Sequence, residues 1–259
     1  VLNDGAQMLG GGVGTSGGGT DTLVVNTALG YALDGGSIDT FEILTKQNTG
    51  ALTLTGDHVF AVATQLDGGT LDVDGRLETS ALSMADGTVL DIDGTVEAAG
   101  NAPTAVTGSA GVNTIDVGPT GTLRANGDLG DGNDAVTLAG LLGTGAGTLG
   151  LGAGDDVLTL RDGAVIESGA GGVDAGAGGS DRLILDNASA MAFDGSQTAG
   201  FETLTKQNTG TASMTGSQSF SGGVAIDAGT LDIDGTLQTP TIALADDTAL
   251  NVDGTVGGS

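Results

Sequence analysis

The chain has 259 residues, 51 of them glycine, with no cysteine, no tryptophan and a formal net charge of -27. Without cysteine there are no disulfide staples and no thiolate metal sites, and so acidic a surface repels nucleic acid and anionic lipid. No segment reaches the roughly 18 consecutive apolar residues that a spanning helix needs.

Residues 1–20 are glycine-rich, with Gly10-Gly11-Gly12 and Gly17-Gly18-Gly19. A first strand is predicted at Leu23-Val24-Val25, with a turn at Asp34-Gly35-Gly36. Then come Lys46-Gln47-Asn48-Thr49-Gly50, Leu52 to Thr55, Phe60 to Leu66, and Thr70 to Asp74 closing at Gly75. Leu77, Leu82 and Met84 follow, then Leu90-Asp91-Ile92-Asp93-Gly94. Residues 100–177 continue in the same style, with Pro103 and Pro119 at turn positions and strands around Leu123, Val136 to Leu138 and Val157 to Leu160. Of the 33 acidic residues 28 are Asp, a turn residue, and only 5 are Glu, so turns should abound and helix should be nearly absent. Alternating apolar runs in most windows argue against disorder. Aromatics are so few that the core must be thin, as it is when each rung packs on its neighbours. There is no basic-then-apolar leader at Val1, which reads as a mature portion or a cut fragment.

The strongest pattern is a long internal repeat. Residues 41–50 return as 201–210 with nine of ten residues identical, and residues 41–99 share 29 identities with 201–259 at an offset of 160. The repeat extends over 18–99 and 178–259, so residues 1–259 read as a single solenoid with 100–177 continuing it. Inside each copy a 19-residue step carries Leu71/Val73 onto Leu90/Ile92, and Asp72/Asp74 onto Asp91/Asp93. Side chains alternate along a strand, so stacked coils would place an apolar ladder inside and an Asp ladder outside. That predicts an all-β parallel solenoid of about 20 residues per coil, a rod of a dozen or so coils on the order of 60 Å long. A β-sandwich of hairpins explains the fixed step less well.

The second copy, from Lys206 through Gly210, Thr215-Gly216, Phe220, Gly222-Gly223 and Gly229-Thr230-Leu231, resembles the passenger-associated repeat of bacterial autotransporters. The first copy departs from it, with Ala61-Val62-Ala63 in place of Ser-Gly-Gly. The resemblance implies a right-handed parallel β-helix on the passenger of a type V secreted protein, exposed outside a Gram-negative cell. It further implies a parent chain with a membrane β-barrel, and adhesion to a host or neighbouring-cell ligand or to a second rod. A second resemblance is to the calcium-binding nonapeptides of RTX proteins, at Gly130 to Val136, Gly152 to Leu158 and Gly17 to Leu23. It implies calcium, although Asp134 and Asp156 stand 22 residues apart rather than in tandem nonapeptides.

Catalytic candidates are sparse. Gly14-Thr15-Ser16-Gly17-Gly18 matches a nucleophile-elbow string, without the helix and the following histidine partner that it needs. His58, the single histidine, is replaced by Gln218 in the second copy and reads as an exposed strand-end residue. Gly12/Gly14/Gly17 and Gly145/Gly147/Gly150 match the dinucleotide fingerprint but read as turns, since no helix follows to receive a pyrophosphate. Asp72/Asp74 and Asp155/Asp156 could be drawn as acid–base pairs, yet nothing nearby raises one pKa selectively and no aromatic platform holds a sugar. The sequence therefore assigns no catalytic, cofactor-binding or metal residue and requires no cofactor. Its leading reading is a rigid structural or adhesive passenger. The alternatives are a calcium-dependent RTX-like module and a polysaccharide-active β-helix enzyme.

Overall fold

The structure, a computed structural model, describes residues 1–4, 13–14, 18–35, 38–167 and 171–258. Its paired strands run parallel and stack into a β-solenoid of about 11 turns, ~21 residues each, with almost no helix beyond short 3-10 turns such as Ala99–Asn101 and Gly195–Gln197. The nucleophile-elbow string and the first of the two dinucleotide-like strings fall largely outside the described residues, as does Gly17 at the start of the earliest nonapeptide.

One coil shows how the sequence makes the turn. Thr70–Val73, Arg76–Thr79 and Ala81–Met84 lie on three successive faces. Asp74-Gly75 bends the first into the second, and Ser80 bends the second into the third. The Asp-Gly corner is steric. A Cβ on Gly75 would lie 2.0 Å from the Gly56 carbonyl oxygen, and one on Gly94 would lie 1.8 Å from that of Gly75. Only glycine lets these corners stack at the spacing the strands impose. Phe60 to Leu66, read from sequence as one run, is divided in the same manner into Asp57–Phe60 and Ala63–Leu66.

The expected register is present. Leu71 pairs with Leu90, Asp72 with Asp91 and Val73 with Ile92, and Leu52 lies one coil before Leu71. In the second copy Leu231 pairs with Leu250 and Asp232 with Asn251. The 19-residue step is local, however. Leu90 pairs with Ile115, a step of 25, and Ile115 with Val136, a step of 21. The longer of these coils holds the Ala99–Asn101 turn, so added residues go into a turn while the strands keep their register.

The two copies do not lie above one another. On the first face a column runs Leu23, Leu44, Thr64 and Leu82, and on the second a column runs from Leu52 through Leu71, Leu90, Val136 and Leu183 into Leu204. Leu204 is the counterpart of Leu44, yet it continues the column begun by the counterparts of Ala212 and Leu231. Those two residues form a separate four-stranded sheet with Met191–Asp194. Gln218, the counterpart of third-face His58, bonds back to Thr198 in the first-face column. Every strand of the second copy has moved on by one face.

Burial within a coil depends on the coil beside it. Met84, Ile92 and Val96 are 2%, 0% and 0% exposed beneath the next coil, whereas their counterparts on the last coil, Leu244, Val252 and Val256, are 51%, 46% and 36% exposed. Leu231 is completely buried. Leu231→Asp is expected to cost on the order of 3–5 kcal/mol, because it leaves an unpaired charge among apolar side chains. Chemical denaturation checks this, and small-angle scattering should show an elongated particle roughly 50 Å long from the coil spacing.

Candidate functional site

Lys46 lies on strand Ile43–Gln47 with the parity of Leu44, and Lys206 on Thr203–Gln207 with the parity of Leu204. Both lysines are fully buried. Lys46 Nζ donates to the carbonyls of Gln47 (3.1 Å), Asn48 (2.8 Å) and Gly68 (2.8 Å). Lys206 Nζ repeats this with Gln207 (2.6 Å), Asn208 (2.7 Å) and Ala228 (3.4 Å). Three ammonium protons thus meet three carbonyls at a turn, two from the lysine's own coil and one from the next; in the first copy the Gln47 carbonyl also accepts the Thr27 N–H at 3.3 Å. Asn48 and Asn208 hold φ of 67° and 62°, which aims those carbonyls inward. Burial lowers both lysine pKa values, opposed by Asp4 for Lys46 and by Asp186 and Asp162 for Lys206. Polarity alone would put Lys206 on the surface, but the inward parity of the strand outweighs it.

His58 corrects the sequence reading. It is 3% exposed, not a surface residue, and Nε2 lies 2.9 Å from the Thr55 carbonyl and 3.2 Å from that of Leu33. A proton on Nε2 satisfies both carbonyls. Burial lowers its pKa, against the opposing hydrogen bonds to Thr55 and Leu33. Gln218 does equivalent work, with Nε2 donating to the Thr198 carbonyl at 2.7 Å and to that of Gly195 at 3.2 Å. Both side chains tie an inner corner, and His58 has its donor committed to backbone.

The carboxylates form two kinds of column. The outer one is as predicted, with Asp72, Asp91 and Asp116 in successive coils and half-buried. The pKa values of Asp72 and Asp91 are raised, first by burial; for Asp91, Asp72 and Asp116 come next. Thr53 Oγ1 donates to Asp72 at 2.9 Å, which opposes the rise. Like-charge repulsion is therefore the smaller cause, not the leading one. At the end of the second copy, Asp232, Asp234 and Asp253 bring one carboxylate oxygen each within 4.8 Å of the others.

The inner column was not foreseen. Asn113, Asp134, Asp156 and Asp181 each enter a second-face strand, one coil apart, and all are buried. Asn113 N–H donates to Asp134 Oδ1 (2.6 Å), Asp134 N–H to Asp156 Oδ1 (2.7 Å), Asp156 N–H to Asp181 Oδ1 (2.8 Å), and Asp181 N–H to Glu202 Oε2 (2.7 Å). The Oδ2 atoms of the three aspartates are buried without a partner. The signal was available, since Asp134 has the parity of Val136 and Leu138, and Asp156 that of Leu158 and Leu160.

The family model described as passenger-associated-transport-repeat matches residues 44–73 and 204–233. Each match begins beside a buried lysine and ends on the strand that closes the following coil. The chain carries two passenger-associated transport repeats. No curated protein and no solved structure matches it. The repeats and the solenoid together fit an autotransporter passenger.

In physical terms, each passenger repeat is a lysine-clamped pair of coils. Between the repeats lie the two remaining nonapeptide-like segments. Their Asp134 and Asp156 turn inward, and each commits one oxygen to a backbone N–H, leaving one side-chain oxygen on each of these two residues. Calcium takes six to eight oxygen ligands.

Outside, a groove of about 500 Å³ has a glycine floor at Gly127, Gly130, Gly150 and Gly152, with Asp128, Asp131 and Asp174 around it. A second, of about 430 Å³, gathers Asp91, Asp93, Asp116, Asp162 and Asp186 around Arg161. The remaining cations include Arg76 and Arg124, which clasp the buried Glu97 from either side, Arg76 Nε at 2.9 Å and Arg124 Nε at 3.8 Å. At Gly145–Gly150 the chain turns and enters the strand Leu149–Gly152, so no helix N-terminus is offered to a pyrophosphate.

Lys206→Met keeps the aliphatic stem and removes the ammonium, leaving three turn carbonyls unmatched. It is expected to destabilise the protein by about 2–4 kcal/mol, from the usual worth of charged hydrogen bonds and the cost of orphaned buried groups. Equilibrium denaturation with Lys206→Arg alongside distinguishes lost charge from lost fit. Separately, the partly exposed outer aspartates repel through solvent, so added sodium chloride should raise the melting temperature at pH 8. Asp72→Asn with Asp91→Asn should reduce that salt dependence.

Proposed function

We propose that this chain is an extracellular structural and adhesive passenger segment, a stiff rod that displays a binding surface outside a Gram-negative cell. The observation that carries this reading is the pair of passenger-associated repeats within a parallel β-solenoid. A solenoid of this kind gives length and stiffness from few residues, since each coil needs only its neighbours. The interior lysines, His58 and Gln218 are committed to backbone carbonyls. The exterior is left with long acidic columns and shallow grooves, which suit contact with an extended surface better than enclosure of a small substrate.

The partner is a ligand on a host or neighbouring cell, or a second rod, and its recognised face is cationic or polar, because the outer surface is strongly acidic. The test displays the segment on an otherwise non-adherent bacterium and measures settling and attachment to cells. Adhesion above the empty display scaffold is expected, and it should weaken when Asp128, Asp131 and Asp174 are replaced together by Asn. A well-folded, well-displayed segment that gives no settling and no attachment would remove the adhesive part of the reading.

A further inference from the structure

The inner aspartate column poses a chemical problem that neither the passenger repeats nor the outer surface explains. Asp134, Asp156 and Asp181 are 1%, 0% and 1% exposed. In each, Oδ1 accepts one backbone N–H from the preceding coil, while Oδ2 is buried with no partner. A carboxylate so placed keeps half its charge-bearing surface against a medium that cannot solvate it, which strongly favours the neutral form.

The groups acting on the column make this worse. Asp134 faces Asp156 and Asp128, Asp156 faces Asp155 and Asp128, and Asp181 faces Asp156, Glu202 and Asp155. Arg182, next in the chain to Asp181, alternates outward and is exposed. Asn113, which heads the column, is neutral and spends its amide on the Ala85 carbonyl and Thr88 Oγ1. Among the described residues no cation acts on the column, in contrast to the clasp around Glu97.

We propose that Asp134, Asp156 and Asp181 form an internal proton-holding column, so that the mid-solenoid coils close by taking up protons rather than by binding calcium. The step is simple: an aspartate that is ionised in the open chain gains a proton on Oδ2 as its coil closes, and Oδ1 stays the acceptor of the neighbouring N–H. The geometry calls for a side-chain oxygen at each of these positions. One side-chain oxygen must cap an N–H that has no strand partner at the corner, and the other is neutralised by the proton.

Burial, as the first cause, raises the Asp134 pKa to about 7 and the Asp181 pKa to about 6, and raises that of Asp156 also. The sign follows directly. A group whose folded pKa lies above its unfolded value of 3.8 contributes stability that is complete below that value and is lost as pH rises through the folded pKa. The window therefore runs from about pH 4 to about pH 7. A passenger outside the cell meets whatever pH its surroundings have, so these coils would tighten in acid and loosen in neutral or alkaline media.

The experiment uses the whole 259-residue chain and compares it with Asp134→Asn/Asp156→Asn/Asp181→Asn, in which the amide stands in for the neutral acid and keeps the Oδ1 acceptor. Thermal unfolding at pH 5 and pH 8 is measured with and without millimolar calcium chloride. Calorimetry in buffers of different ionisation enthalpy counts the protons released on unfolding near pH 5.5. The wild type should melt several degrees lower at pH 8 than at pH 5. It should also release about one to two more protons than the triple variant. The variant's pH dependence should be much flatter, and calcium should move neither protein.

Because the outer aspartates also titrate, Asp72→Asn/Asp91→Asn is run in parallel and should keep most of the wild-type slope. If the triple variant does not fold, single Asp134→Asn and Asp181→Asn variants read the same slope. An unchanged slope in the inner variants, or a slope abolished by the outer pair alone, overturns the proposal. So does a calcium-dependent rise in wild-type melting that the inner variants lose. None of these outcomes bears on adhesion, which is measured separately.

Discussion

Everything in this molecule depends on one coil lying on the next in register. A parallel ladder at about 4.8 Å fixes where each inward side chain must go and which backbone groups are left over at the corners. The apolar columns, such as Leu52–Leu71–Leu90, answer the first demand. Lys46, His58, Gln218, Asp134, Asp156 and Asp181 answer the second, each reaching backbone groups of a neighbouring coil. Glycine corners such as Gly75 and Gly94 make the spacing possible, because a methyl group there would overlap the carbonyl of the coil before it.

This division of labour explains the composition. A rod of small cross-section has many corners per residue and little volume, so Gly and Asp are frequent and aromatics rare. Phe60 and Phe220, buried and at matching positions in the two copies, sit at the ends of the strands Asp57–Phe60 and Ser217–Ser219, where the interior needs filling. Lys46 and Lys206 bring charge into the same interior. Burying an ammonium is costly unless its protons are all matched, and here three carbonyls match three donors.

Much of the architecture was legible in the sequence. The 19-residue step placed Leu71 on Leu90 and Asp72 on Asp91, and the structure has those pairs. Two things escaped, for one reason. Lys206 shares the parity of Leu204 and Asp134 that of Val136, a signal that their polarity masks. In a strand the parity is set by the backbone and cannot be broken by one side chain, so a polar residue on the apolar register is buried and must find partners. Register also hid the turn insertions. The six residues by which the Leu90-to-Ile115 step exceeds 19 leave no trace in strand alternation, because they are accommodated at the Ala99–Asn101 turn.

The offset of 160 residues has a geometrical meaning that sequence alignment alone does not convey. Leu44 stands on the first face, while its counterpart Leu204 continues the second-face column of Leu71 and Leu183. The offset is therefore not a whole number of coils, and the second passenger repeat is turned about the rod by one face relative to the first. Interior packing tolerates this because all three faces meet the same requirement, an inward apolar position every second residue, so Leu204 can stack on Leu183 as well as Leu44 does on Leu23. What changes is the direction in which equivalent outer residues point. Asp72 belongs to the long second-face column with Asp91 and Asp116, whereas its counterpart Asp232 stands in a separate sheet beside Ser213 and Asn251. Two related stretches of sequence, identical at 29 of 59 positions, thus give the rod two differently oriented and differently flanked acidic surfaces, while inside it they make the same lysine clamp.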